Sequence, residues 1–302
     1  MTLPDLLIPL REILLDLVSG SDRTRTLNPS TLLRTSPVIA HEANPMDGDP
    51  TDELSKLLHE VLLSGLANHG EKVDYAALRA SPLYHSFRLC TGTLRAFDPS
   101  ALTDRHARLT FWINLYNTLV LDGVIALGVR HSVRERRAGT TFFRQAAYVV
   151  GRQRMSCDDI EHGILRANRG HPFYPGRQFA SSDPRLKWVI EPFDVRVHFA
   201  LNCASRSCPP IRAYSPEKLD SQLDLATRSY LATDIQIVPE ENALHLPSIF
   251  KWFGAEFGGR EGIIEFVLSY HSDEAERLWL SDERKSVSLR HRPYDWGLNG
   301  KV

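Results

Sequence analysis

Apolar residues recur along this chain at two periods, near 3.6 and near 2, and the change from one to the other marks its elements. Leucines and isoleucines from Leu3 to Val18 keep helical spacing and predict an amphipathic helix over 1–18. The stretch 19–50 is rich in Ser, Thr, Pro, Asp and Gly with little apolar rhythm, and reads as a linker. A globular domain is then expected over 51–302. Leu54, Leu57, Leu58, Val61 and Leu62 form a helical stripe that stops at Asn68-His69-Gly70. Asp74 to Leu78 reads as a short turn-helix, and Leu83 to Phe97 as a helix ended by Asp98-Pro99. Thr103 and Asp104 can cap a helix that runs to Leu127, with Gly128 as its stop. Apolar residues cover nearly every face of that helix, so it is expected at the centre of the fold.

Period-two patterns come later. Phe142 to Val150 and Arg152 to Met155 read as strands joined at Gly151, and Trp188 to Ile190 as another. In the run from Val195 to Leu201, Val195, Val197, Phe199 and Leu201 alternate with Arg196, His198 and Ala200, which predicts a strand with His198 on the polar face. Ile235–Val238 and Ala243–Leu246 flank a Pro-Glu-Glu-Asn turn and read as a hairpin. Ser156 with Asp159 resembles a capping box; Pro216–Leu231, Pro247–Phe257 and Glu261–Tyr270 read as helices. Tyr294-Asp295-Trp296 should return the tail to the body with Trp296 buried. Helices outnumber strands, so the fold class expected is α+β: helix-rich, with a small, mainly antiparallel sheet.

Composition narrows the functional classes. At 302 residues with 42% apolar and 24% charged residues, the chain can build a core without staples. A net charge of −1 gives no general attraction for nucleic acid or anionic membrane, and no nucleic-acid partner is expected. The basic run Arg130–Arg137 reads as a solvated helix end or loop. Charges interrupt the first helix and no uncharged run is long enough for a span, so neither a signal peptide nor a transmembrane segment is expected. Four cysteines, at 90, 157, 203 and 208, are too few for a disulfide framework at this length and point to reduced thiols in the cytoplasm. The expected partner is a small-molecule or peptide substrate, with a protein partner as the alternative. There is no Gly-rich phosphate loop, and no cofactor is expected.

Four segments carry a resemblance: FWINLYNTLVLDGV at 111–124, SCDDIEHGILR at 156–166, HFALNCASRSCPPIRAYSPEKLDSQL at 198–223 and YDWGLN at 294–299. In order and spacing they resemble the domain of unknown function 547 family, over roughly residues 51 to 299. The resemblance implies no settled activity. It suggests a papain-like or transglutaminase-like relationship, which is an analogy of fold.

The chemistry gathers at Asn202-Cys203-Ala204-Ser205-Arg206-Ser207-Cys208, just after His198. Thiol catalysis needs a thiolate, a base, a group to orient the base and donors for an oxyanion. Cys203 is the expected nucleophile of a hydrolase or acyl transferase acting on an amide- or ester-type bond, with Cys208 as the second candidate thiol. His198 or His162 is the expected base, and Asn202, Asn114 or Glu161 the orienting group. Arg206 is placed to favour a thiolate, and Asn117 shares a helix face with Asn114. A non-catalytic peptide-binding module explains the same residues as scaffold. Thiol redox between Cys203 and Cys208, and zinc binding by Cys203, Cys208, His198 and His162, rank lower, because C-x4-C is wider than the usual spacing of either.

Overall fold

A computed structural model describes residues 3–19, 22, 24–30, 56, 59–61, 66–67, 72–135 and 141–302. Among these residues the fold is helix-rich α+β with small sheets. The chain divides into two compact units. The first comprises Met1–Phe193, Leu201–Leu219 and Trp296–Val302; the second comprises Asp194–Ala200 and Asp220–Asp295.

The first unit is built around the helix Arg105–Leu127. Asp104 starts it by accepting the Ala107 N–H at 2.8 Å, and Gly128 ends it at φ 65°, a left-handed conformation suited to glycine. Every residue from Leu109 to Val124 is buried. This helix has the length and apolarity of a membrane span, yet 89% of its most apolar window is packed inside the protein. Short helices Tyr75–Ala80 and Pro82–Thr91 precede it in the chain, the first capped by the Asp74 side chain. Strands Ala147–Val150 and Gln153–Ser156 form a hairpin, turned at Gly151 and Arg152, both with positive φ. Strands Leu66–Ala67 and Lys72–Asp74 pair antiparallel, and Gly300–Lys301 adds in parallel, so the tail is stitched to the start of the unit.

Leu3–Ser19 is helical, as its spacing predicts, but its faces are disposed the other way. Leu7, Leu10, Ile13, Leu14, Leu17 and Val18 are exposed. Glu12 and Asp16 instead meet Arg144, at 3.0 and 2.6 Å. Arg144 is buried and needs counter-charges, and that need sets which side of the helix faces the body. Part of the expected linker is docked as well. Leu27 and Asn28 are buried, and the Asn28 amide bonds the backbone of Thr91 and Val149. Residues 31–55, most of the helical stripe from Leu54 to Leu62, its stop at Asn68-His69-Gly70, and the last part of the basic run lie outside the described residues.

The second unit packs Phe199, Tyr230, Leu244, Phe250, Phe257 and Ile264 in an aromatic-rich core. Helices Leu219–Asp234 and Gly259–Tyr270 and the hairpin of Gln236–Val238 with Ala243–Leu246 contribute to it. Ser288–His291 pairs in parallel with Ala243–Leu246, a non-local pairing that local alternation does not signal. The helix Glu274–Asp282 was equally silent, lying in a charged tail with little apolar rhythm.

Two predicted strands are helical turns. Val195–Phe199 is a 3₁₀ helix, because the Asp194 side chain accepts the Arg196 N–H and its carbonyl accepts that of Val197. His198 is consequently buried and not on a polar face. Trp188 ends a second 3₁₀ helix, Pro184–Trp188, started by Asp183 and a proline at its first position. The segment from Phe142 begins as the helix Thr141–Gln145 and is extended only from Ala147. Trp296 is half-buried, with the Arg134 guanidinium 4.7 Å from its ring centroid; the buried tail residues are Leu298 and Asn299.

Candidate functional site

The loop from Asn202 to Pro209 in the first unit is organised by amide side chains. Asn202 is buried. Its Nδ2 donates to the Pro209 carbonyl at 2.5 Å and its Oδ1 accepts the Ala204 N–H at 2.7 Å, so one side chain ties both ends of the loop. Asn117, on the central helix, accepts the Asn202 N–H at 2.9 Å. One turn earlier, Asn114 pairs with both backbone groups of Tyr214, at 2.9 and 3.0 Å. The two asparagines therefore satisfy backbone that would otherwise be buried without partners. From the other side, Asn299 N–H donates to Ala204, Arg206 N–H donates to Gly297, and Tyr75 holds Asn299 Oδ1 at 2.8 Å. Ala204 sits at φ 62°, a strained position for a residue with a side chain, and is held there by these bonds.

Within this frame the two thiols meet. The Sγ atoms of Cys203 and Cys208 lie 2.7 Å apart with no disulfide joining them. The Cys203 N–H points at Cys208 Sγ at 2.8 Å, and Ser205 Oγ lies 2.9 Å from Cys203 Sγ. Both cysteines are partly exposed. Cys208 sulfur therefore has a backbone donor, and Cys203 sulfur a hydroxyl and a second thiol, within contact. Arg206 is exposed and enters the loop through its backbone.

A second group of titratable residues follows the hairpin. Ser156 and Asp159 make the expected reciprocal cap, with Ser156 N–H on Asp159 Oδ2 at 3.0 Å and Asp159 N–H on Ser156 Oγ at 3.1 Å. The segment it starts, Asp159–Leu165, is a π-helix. Gly163 is needed there, since a Cβ would stand 2.2 Å from the Phe179 ring. Glu161 accepts the Tyr116 hydroxyl at 3.0 Å. Burial pushes that hydroxyl well above its ordinary pKa, and the charges of Glu161, Cys157, Cys203 and Cys208 push the same way. Tyr116 thus lies within electrostatic reach of both the thiols and the acidic helix.

His162 receives Arg166 Nη1 on its Nδ1 at 2.6 Å. A guanidinium can only donate, so Nδ1 accepts and Nε2 carries the proton. Glu161 Oε1 lies 3.6 Å from the same Nδ1. Asp158, His162 and His171 place ligand atoms within 4.8 Å of one another. Burial lifts the Asp158 carboxyl up to about 8, with Arg144 opposing and Glu161 and Asp159 adding to it; burial and then Arg166 hold His171 down to about 3. As a metal centre the cluster is poorly matched. His171 Nδ1 accepts the Phe173 N–H at 3.2 Å, so both imidazoles carry their proton on Nε2, the nitrogen a metal would need.

His198 belongs to the second unit. Its Nε2 lies 2.7 Å from Glu256 Oε2, and its ring stacks on Phe253 at 4.2 Å. Of the residues singled out in the sequence, Cys203, Cys208, Asn202, Asn114, Asn117 and Arg206 fall on or against one loop. Glu161 and His162 share the π-helix. Ser205, Tyr116, Arg166, Asp158 and His171 were missed. Only the i, i+4 spacing of Asp158, His162 and Arg166 signalled any of them.

No curated protein and no solved structure matches the chain, so the papain-like expectation gains no support. Residues 99–231 match one family model, a narrower span than the motifs suggest, taking in the central helix, the hairpin, the π-helix and the cysteine loop. Over that segment the chain matches the model of the family described as protein of unknown function, DUF547.

Proposed function

We propose that this protein is a cysteine-dependent hydrolase or acyl transferase acting on an amide- or ester-type bond, with Cys203 as nucleophile. The observation that carries the reading is the contact of Cys203 Sγ with Cys208 Sγ and Ser205 Oγ in a partly exposed, rigidly bonded loop. Cys203 sulfur would attack the carbonyl carbon and expel the amine or alcohol, leaving a thioester that water or an acceptor then cleaves. Cys208, 2.7 Å away, is the proton acceptor this reading uses. His162 would serve as base only after Arg166 leaves Nδ1. His198, with Glu256 on its Nε2, is the other imidazole to test. Reduced thiols of this kind suit the cytoplasm.

Iodoacetamide labelling at neutral pH, read by intact mass and peptide mapping, tests the proposal. Cys203 should react at least about tenfold faster than an ordinary thiol, as a lowered pKa requires. His162→Gln and His198→Gln separate the two imidazoles by which one slows the labelling. Labelling of Cys203 no faster than an ordinary thiol sinks the catalytic reading and leaves the non-catalytic binding module.

A further inference from the structure

The sulfur pair supports a regulatory chemistry at the same loop, one that rests on reading Cys203 as a reactive thiolate. We infer that Cys203 and Cys208 are a peroxide-sensitive modification site, in which Cys208 resolves an oxidised Cys203 as a reversible disulfide. Closure from 2.7 Å to a bond of about 2.05 Å needs less than 1 Å of movement. The loop is already bent to that shape by the Asn202 bonds to Ala204 and Pro209, so little chain entropy is left to lose. Both cysteines are partly exposed, as a site open to a small oxidant requires.

The step balances with hydrogen peroxide as oxidant. The Cys203 thiolate attacks one peroxide oxygen, the O–O bond breaks, and hydroxide leaves; two electrons pass from sulfur to oxygen and a sulfenic acid forms. Cys208 sulfur then attacks Cys203 sulfur. The S–S bond forms, the S–O bond breaks, and the departing oxygen leaves as water with the Cys208 proton. A dithiol reductant reverses the change. While the bond holds, Cys203 cannot form a thiolate to attack a carbonyl, and the proposed reaction stops.

Of the remaining cysteines, Cys90 is partly exposed, and peptide mapping separates its label from that of Cys203. Cys157 is buried and its thiol is pushed well above the ordinary range, first by burial and then by Asp158 and Glu161. It stays unlabelled in a folded chain and so reports folding of each variant. Full-length protein is treated with excess hydrogen peroxide and followed by intact mass and non-reducing peptide mapping, beside Cys208→Ser. The wild type should lose about 2 Da, link the Cys203 and Cys208 peptides, label about tenfold less with iodoacetamide, and recover with dithiothreitol. Cys208→Ser should instead gain oxygen at Cys203. If the wild type keeps both thiols under peroxide yet labels fast at Cys203 without it, the switch is overturned and the nucleophile stands. If the disulfide forms but Cys203 labels like an ordinary thiol, the disulfide stands and the catalytic reading falls. If neither occurs, both are overturned.

Discussion

His162 and His198 are both buried imidazoles close in sequence to acidic residues, and they are chemically opposite. His162 is met at Nδ1 by a guanidinium and by His171 edge-on, at a ring separation of 4.7 Å. It is held neutral with its proton on Nε2. His198 is met at Nε2 by a carboxylate and lies flat against Phe253, so the same nitrogen donates, to Glu256. One is fixed by a polar network, the other by an aromatic core and a carboxylate. What an imidazole can do follows from which partner holds which nitrogen, and residue type alone does not tell.

The largest expected effect falls on the aromatic side. Glu256→Ala removes the carboxylate from a buried contact and should cost about 3–5 kcal/mol in chemical denaturation, with Glu256→Gln costing less. A loss below about 1 kcal/mol would mean that packing alone holds His198. Next, Asn202→Ala should cost about 1–3 kcal/mol, since the Ala204 N–H and the Pro209 carbonyl lose their partner. It should also separate the sulfurs, seen as a slower disulfide under peroxide.

A smaller effect is set by pH. The Asp158 carboxyl, at about 8, is raised above its unfolded value of 3.8, so the folded chain holds a proton there that the unfolded chain has lost. Its stabilising share is complete below 3.8 and is lost as pH rises through about 8. His171 acts in the other direction: depressed from 6.5 to about 3, it makes stability grow between those values. Between pH 6.5 and 8 only the Asp158 slope remains of these two, and stability should fall by about 1–2 kcal/mol across it. Asp158→Asn should flatten that slope; an unchanged slope assigns the proton elsewhere. The smallest effect is spectroscopic. Nitrogen shifts of the His162 ring should report a neutral Nε2–H form near neutrality, and Arg166→Gln should mix in the other tautomer.

Much of the frame was legible in the chain. Asp104 and Gly128 bounded the central helix, Ser156 and Asp159 made their cap, and the Pro-Glu-Glu-Asn turn joined its hairpin, because each signal is local. The Val195–Phe199 segment was not legible as a helix. Its alternation was that of a strand, and the deciding contact was a cap by Asp194, reinforced by Arg196 bonds to Asp220 and Asp224. The cysteine loop was visible as a cluster of chemistry, yet its supports were not. Asn299 and Tyr75 lie far from it in sequence, and no spacing rule joins them to it. The inward charges of the first helix were hidden for the same reason, since Arg144 comes 128 residues after Asp16.

The tail strand has a bearing on biosynthesis. Leu298 bridges to Ser205, and Asn299 lies 97 positions downstream of the Asn202 side chain it helps to hold. A ribosome that has just delivered the sulfur-bearing turn has not yet made the segment that secures it. Until translation passes Asn299, the turn has its Asn117 and Asn202 bonds but not those from the tail, so its full support is acquired late, after the second unit has already been synthesised.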